Sequence, residues 1–403
     1  DMERRHGGAQ PPENAAAAES PENAAAAQPP ENAAAAQPPE NAAAAEPLEN
    51  KAAAEPSENT AAIVRLSENK AAAAELSENN AEGALPPDGN AGGQAAQVRS
   101  PLYTRARLSG GFFSAVVVGM LLVNCVFSLT VVLIARAQGV GTAVITGSEA
   151  VRYLSYLLYQ LLYLGALAAV VFIYKEKPRA FGCRKTSWKY FLIALALQFG
   201  LLFSLDRANV YFIDLLGMLG YKSSSGGASS LPSLAGGGIV GVLVVVAVLP
   251  AVLEESLFRG VMLEGMKALG TASACLLGGL CFSLFHQSPD QTVYQFICGA
   301  AFTLLALRAD SLLPAVAAHF CNNALIVFNE KFGFLNHVSA GGEIAIYLFS
   351  ALCLVGSLAW LIFFDKRGNA KRQVPLGAFV KPALPGIVVC AAMWIYIFVA
   401  GVL

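Results

Sequence analysis

Three short clusters of reactive side chains stand out in an otherwise apolar chain. They are Glu254-Glu255-Ser256-Leu257-Phe258-Arg259, Phe282-Ser283-Leu284-Phe285-His286, and His319-Phe320-Cys321-Asn322-Asn323. Each lies in or at the end of a hydrophobic run, where an ionisable side chain costs about 2.5 to 3.5 kcal/mol to insert and so requires a partner or a purpose. Glu255 and Arg259 are four residues apart on one helical face, with the glutamate nearer the N-terminus, the better order for an ion pair. Glu254 points about 100 degrees away from Glu255 and is left free by that pairing. Phe282 and His286 share a face, as do His319 and Asn323, so each helix can present an imidazole to a common interior.

A carboxylate, two imidazoles and a carboxamide converging away from bulk water suit hydrolysis of an amide. The carboxylate, helped by a histidine, takes a proton from water; the other groups hold the oxyanion, and a histidine protonates the departing amine. Two histidines and a glutamate would also make a zinc site with an open position, although no HExxH pair fixes two ligands on one helix. The expectation is therefore no cofactor, with zinc as the alternative. A proton-coupled transporter could use the same groups as a relay, but the paired broken helices or inverted repeats of such folds are not evident. A non-enzymatic immunity or scaffold protein would need only the Glu255–Arg259 brace and an interhelical His319–Asn323 clamp.

Helices of membrane-crossing length must position these groups. The chain is 55% hydrophobic and 14% charged, too apolar for an ordinary soluble globule. Nine runs have roughly the length a bilayer core demands: Phe112 to Ala135, Val151 to Tyr174, Tyr190 to Leu205, Ile239 to Met266, Thr271 to Phe285, Val293 to Leu307, Ser311 to Val327, Ile344 to Phe364 and Ile387 to Leu403. The third and sixth are short. The predicted fold is an all-α polytopic membrane bundle of about eight or nine spans over residues 101–403. Pro250 removes a backbone bond near Glu254, and Pro314 sits in a first turn, where the loss matters least. Glu254 is expected nearer the basic edge than His286 if its span ends early, so helix tilt or a cavity on the basic side would have to bring them together.

Basic residues set the orientation. Arg99, Arg105 and Arg107 precede the first span, Lys175 to Lys189 fill the second loop, and Lys366 to Lys381 fill the last, with Lys267 and Arg308 agreeing. The positive-inside rule puts all of them in the cytoplasm, and the N-terminal tail with them. Seven of the eight cysteines fall in apolar runs, Cys183 falls in a basic loop, and none forms a CxxC pair, so neither a disulfide framework nor a thiolate zinc site is indicated. Tyr153, Tyr156, Tyr159 and Tyr163 suit a helix interface or aromatic belt.

Residues 1–100 are different in kind. They carry 16 Asp/Glu against 6 Lys/Arg, and Glu-Asn pairs recur every nine residues from Glu13 to Glu58, with drifted copies at Glu68 and Glu78. Proline interrupts each alanine block before a stable helix length is reached, and the composition predicts a disordered acidic repeat tail. It has no apolar core of signal-peptide length, so the first span is expected to serve as the insertion signal and remain in the protein. The absence of an organelle address favours a bacterial plasma membrane.

The three clusters, in this order, resemble the CPBP family of intramembrane proteases, the type II CAAX prenyl endopeptidase and bacteriocin-processing (Abi) group, whose pattern is EExxxR, FxxxH and HxxxN/D on separate spans. The resemblance implies Glu254 as the water-activating glutamate, His286 as its helper, and His319 with Asn323 as the oxyanion-binding pair. Glu255, Arg259 and Phe282 would support them. It further implies a peptide or lipidated protein substrate in the lipid bilayer and no nucleic-acid partner.

Overall fold

The computed structural model describes residues 100–175, 177–223 and 231–403; the repeat tail lies outside the described residues. Those residues form helices and no strand. Nine helices matter here: α1 Pro101–Gln138, α2 Glu149–Tyr174, α3 Lys189–Met218, α4 Gly238–Leu269, α5 Thr271–Phe285, α6 Thr292–Ala309, α7 Leu313–Phe332, α8 Ala340–Phe364 and α9 Gly377–Val402.

Seven of these are long and apolar enough to cross a membrane; α5 and α7 are not among them. The expected eight or nine spans therefore reduce to seven by length and composition. The reason lies in the site itself. Helix α5 has 15 residues, about 22 Å of helix, and α7 gives positions to His319, Asn322, Asn323, Asn329, Glu330 and Lys331.

Three boundaries move. Helix α1 starts eleven residues before Phe112, because the Ser100 side chain accepts the Tyr103 N–H and Pro101 occupies the first turn. Helix α3 bends at Leu205, where its first segment Lys189–Ser204 ends as expected, and a second segment, Asp206–Met218, extends the span. Helix α9 begins ten residues before Ile387 and continues through Pro382 and Pro385. Prolines normally interrupt a helix, but here Ser114 of α1 mends the backbone. Its Oγ donates to the Pro382 carbonyl at 2.7 Å and accepts the Gly386 N–H at 3.0 Å. Gly386 makes the approach feasible, since a Cβ there would lie 2.8 Å from the Ser114 Cα.

The core has two parts. One packs Leu257, Phe258, Met262 and Met266 of α4 with Phe282 and Phe285 of α5 and Phe113 and Phe379 of α1 and α9. The other joins Leu197 and Leu201 of α3 to Phe302 and Leu305 of α6 and Ala315 and Ala318 of α7. Helix α4 belongs to both the core and the site, and it is not a uniform α-helix. Residues Leu243–Val248 and Ser256–Met262 are π-helical, leaving a short α segment, Leu249–Glu255, that carries both glutamates. Such wide turns recur at functional sites.

Candidate active site

The two glutamates have different surroundings. Glu255 is fully buried, and one oxygen, Oε1, accepts from Arg259 Nη1 at 2.9 Å and from His319 Nδ1 at 2.9 Å. Glu254 is also buried, but it lines a cavity of about 560 Å³ together with Phe282, His286, His319 and Asn323. The Oε2 atom of each glutamate has no hydrogen-bond partner among the described residues, so it is the cavity that sets Glu254 apart. Adjacent carboxylates thus divide, because residues one apart on a helix face different neighbours.

Arg259 is held through its two terminal nitrogens, while its Nε has no hydrogen-bond partner among the described residues. Its Nη2 donates to the Gly299 carbonyl at 3.1 Å, and its guanidinium lies 4.5 Å from the Phe282 ring centroid and 5.4 Å from that of Phe302. The aromatic faces supply cation–π attraction where water does not reach. Close packing of α5 and α6 makes the Gly299 carbonyl reachable. A Cβ on Gly299 would lie 2.8 Å from the Phe282 Cβ, and one on Gly279 would lie 2.6 Å from the Phe296 carbonyl oxygen.

Phe282 sits between the two imidazoles. Its ring meets His286 edge-on at 4.8 Å and His319 at 6.2 Å between centroids. Its carbonyl lies 2.8 Å from His286 Nδ1. A carbonyl only accepts, so Nδ1 carries the proton and Nε2 is the basic nitrogen. Gly270, at the α4–α5 turn, lies midway in sequence between Glu254 and His286, and both side chains line the same cavity.

Asn323 is positioned by the proline the sequence singled out. Pro250 has no N–H to give to the carbonyl of Val246, four residues earlier, and Asn323 Nδ2 donates to that carbonyl at 2.9 Å. Asn323 Oδ1 accepts from Asn322 Nδ2, whose own Oδ1 accepts from Gln198 Nε2 at 2.7 Å and from the Tyr294 hydroxyl at 2.9 Å. His319 and Asn323 therefore both line the cavity, yet each is anchored to α4.

Several lining residues escaped sequence reasoning. Gln198 and Tyr294 carry no motif, and only the loss of hydropathy at an isolated Gln inside a span marks Gln198. Tyr156, Tyr159 and Tyr163 line the cavity as well, whereas Tyr153 donates to the Gly238 carbonyl across the α2–α4 interface. Among the described residues no three His, Cys, Asp or Glu side chains group as a metal ion would need. The described cysteines are all free thiols.

No curated protein and no solved structure matches the chain. Residues 236–325, a minority of the chain that nonetheless holds all three clusters, match the family model described as Rce1-like, type II CAAX prenyl endopeptidase Rce1-like.

Proposed function

We propose that the protein is an intramembrane endopeptidase in which Glu254 activates the hydrolytic water. The observation that carries this reading is the division of labour between the glutamates: Glu255 is taken up by Arg259 and His319, while Glu254 faces the cavity. In the proposed reaction Glu254 accepts a proton from water and the resulting hydroxide adds to the substrate carbonyl. His286 assists through Nε2, since its Nδ1 is committed to the Phe282 carbonyl. The oxyanion is received by the second amide hydrogen of Asn323, the first being given to Val246, and by the Nε2–H of His319 in its imidazolium form, its Nδ1–H being given to Glu255. Collapse of the tetrahedral intermediate breaks the C–N bond, and the proton taken from water passes to the amine, leaving a carboxylic acid and a free amine.

The Glu255–Arg259–His319 triad would hold the oxyanion group in place, and a fixed donor is worth most where water is excluded. A membrane-associated peptide or protein is the substrate class consistent with the family match and with the apolar helices around the site. Exchange of Glu254 for Gln preserves shape but removes the base, and we expect cleavage to fall about 10²- to 10⁴-fold with the protein still folded. Peptides released from membranes of cells carrying wild-type or Glu254→Gln protein, identified by mass spectrometry, measure this and name the substrate. An unchanged peptide profile would overturn the assignment and return the scaffold and transporter readings.

A further inference from the structure

We infer that Gln160 of α2 is a substrate-binding residue, a carboxamide left unpaired at the cavity so that it can bond to the main chain of an extended substrate segment. The nature of the substrate rests on the proposed role of Glu254; the unpaired state of Gln160 does not.

The α2 wall of the cavity is a polar stripe on an apolar helix. Tyr156, Tyr159, Gln160 and Tyr163 all line it. Their positions, three, four and seven residues on from Tyr156, put them on one helical face. That face adjoins the glutamates. The Leu249–Glu255 segment of α4 is in contact with α2, and Tyr163 shares a core cluster with Leu253 and Phe285, meeting the Phe285 ring at 5.4 Å between centroids. Gln160 lies one turn before Tyr163 and is 6% exposed. Packing alone would favour an apolar side chain there, because a carboxamide is costly to bury in a membrane helix.

What sets Gln160 apart is the lack of any partner in the protein. Its Oε1 is buried with no hydrogen bond, and its side chain bonds to none of the described residues. Every other carboxamide on the cavity wall is engaged. Gln198 donates to Asn322 and Tyr294, Asn322 donates to Asn323, and Asn323 donates to the Val246 carbonyl. Asn209 donates to the Asp290 carbonyl, and Gln295 donates to Gln291. Those bonds tie neighbouring helices together or hold the wall in shape, and Gln160 contributes to neither. A buried polar group without a partner destabilises the empty protein, and at a cavity wall a ligand can supply the partner. A carboxamide offers an acceptor oxygen beside a donor nitrogen. The backbone amide is the complementary pair that every peptide brings, and its groups are free only where the peptide is unwound, since in a helix they bond to each other.

Gln160→Met keeps the length of the side chain and removes both hydrogen-bonding groups. The purified variant should unfold in detergent at or above the wild-type midpoint, because no protein partner is lost. A midpoint lowered by several degrees would reveal a structural partner and overturn the inference. The second readout uses a synthetic peptide spanning a bond whose cleavage depends on Glu254, with analogues in which backbone amides are replaced by esters one at a time. At one position the ester should lower kcat/KM of the wild type about three- to tenfold. Gln160→Met should show a similar loss with the all-amide peptide and no further loss with that ester. Equal ester penalties in both proteins at every position, or a variant as active as wild type, would overturn the substrate role. Failure of the catalytic reading looks different: released peptides would be unchanged by Glu254→Gln with Gln160 intact. That outcome would withdraw the peptide as ligand, while the midpoint would still report whether Gln160 is unpaired.

Discussion

The outer helices and the site helices follow opposite rules. Helices α1, α8 and α9 are long, and they turn bare aliphatic side chains such as Leu122, Val126, Leu348, Leu352 and Ile395 outward, as lipid requires. Helices α4 to α7 hold the buried Glu254, Glu255, Arg259 and His319, and two of them are too short or too polar to qualify as spans on their own. The difference teaches that the site helices are not independent membrane elements. They reach membrane depth because their polar groups meet one another: Glu255 with Arg259 and His319, and Asn323 with the Val246 carbonyl. This is how polar and irregular backbone is tolerated inside a bilayer.

The contrast can be broken most severely at its charged centre. Arg259→Met leaves Glu255 buried with His319 as its remaining partner, and should cost about 3 to 5 kcal/mol, read as a lower unfolding midpoint in detergent. Adding Glu255→Gln should recover a large part of that stability, because the uncompensated charge is gone; cleavage should not return with it, since His319 loses its carboxylate. A double variant no more stable than the single one would show that the ion pair is not what holds these helices together.

A smaller effect is expected where the site helices touch. Gly299→Ala places a methyl 2.8 Å from the Phe282 Cβ, and the overpacking should cost about 1 to 3 kcal/mol. Activity should fall alongside stability, as Phe282 carries His286 and the Gly299 carbonyl holds Arg259. The least effect belongs to the outer region. Leu352 is 68% exposed on α8, and Leu352→Ala should change stability by no more than about 0.5 kcal/mol. A loss there comparable to that of Gly299→Ala would erase the distinction between the two regions.

Legibility followed the range of the interaction involved. Helix α4 was readable almost to its ends, because its apolar run and its i,i+4 pair are local patterns. The start of α9 was not readable: prolines inside a run signal a break, and the serine that repairs it comes from α1, far away in sequence. Gln198 was invisible for a similar reason, since its value depends on Tyr294 and Asn322, which other helices bring to it.

The sequence by itself determined that this is a helical membrane chain, that Glu255 faces Arg259, and that three clusters lie on separate helices with residues suited to one another. Each of those follows from hydropathy, charge and helical period, which act within a few turns. Only the tertiary structure decided that His319 joins Glu255 rather than Glu254, and that Asn323 takes up the carbonyl left by Pro250. These outcomes depend on how neighbouring helices are rotated and packed, and side chains four residues apart carry no record of what a third helix places between them.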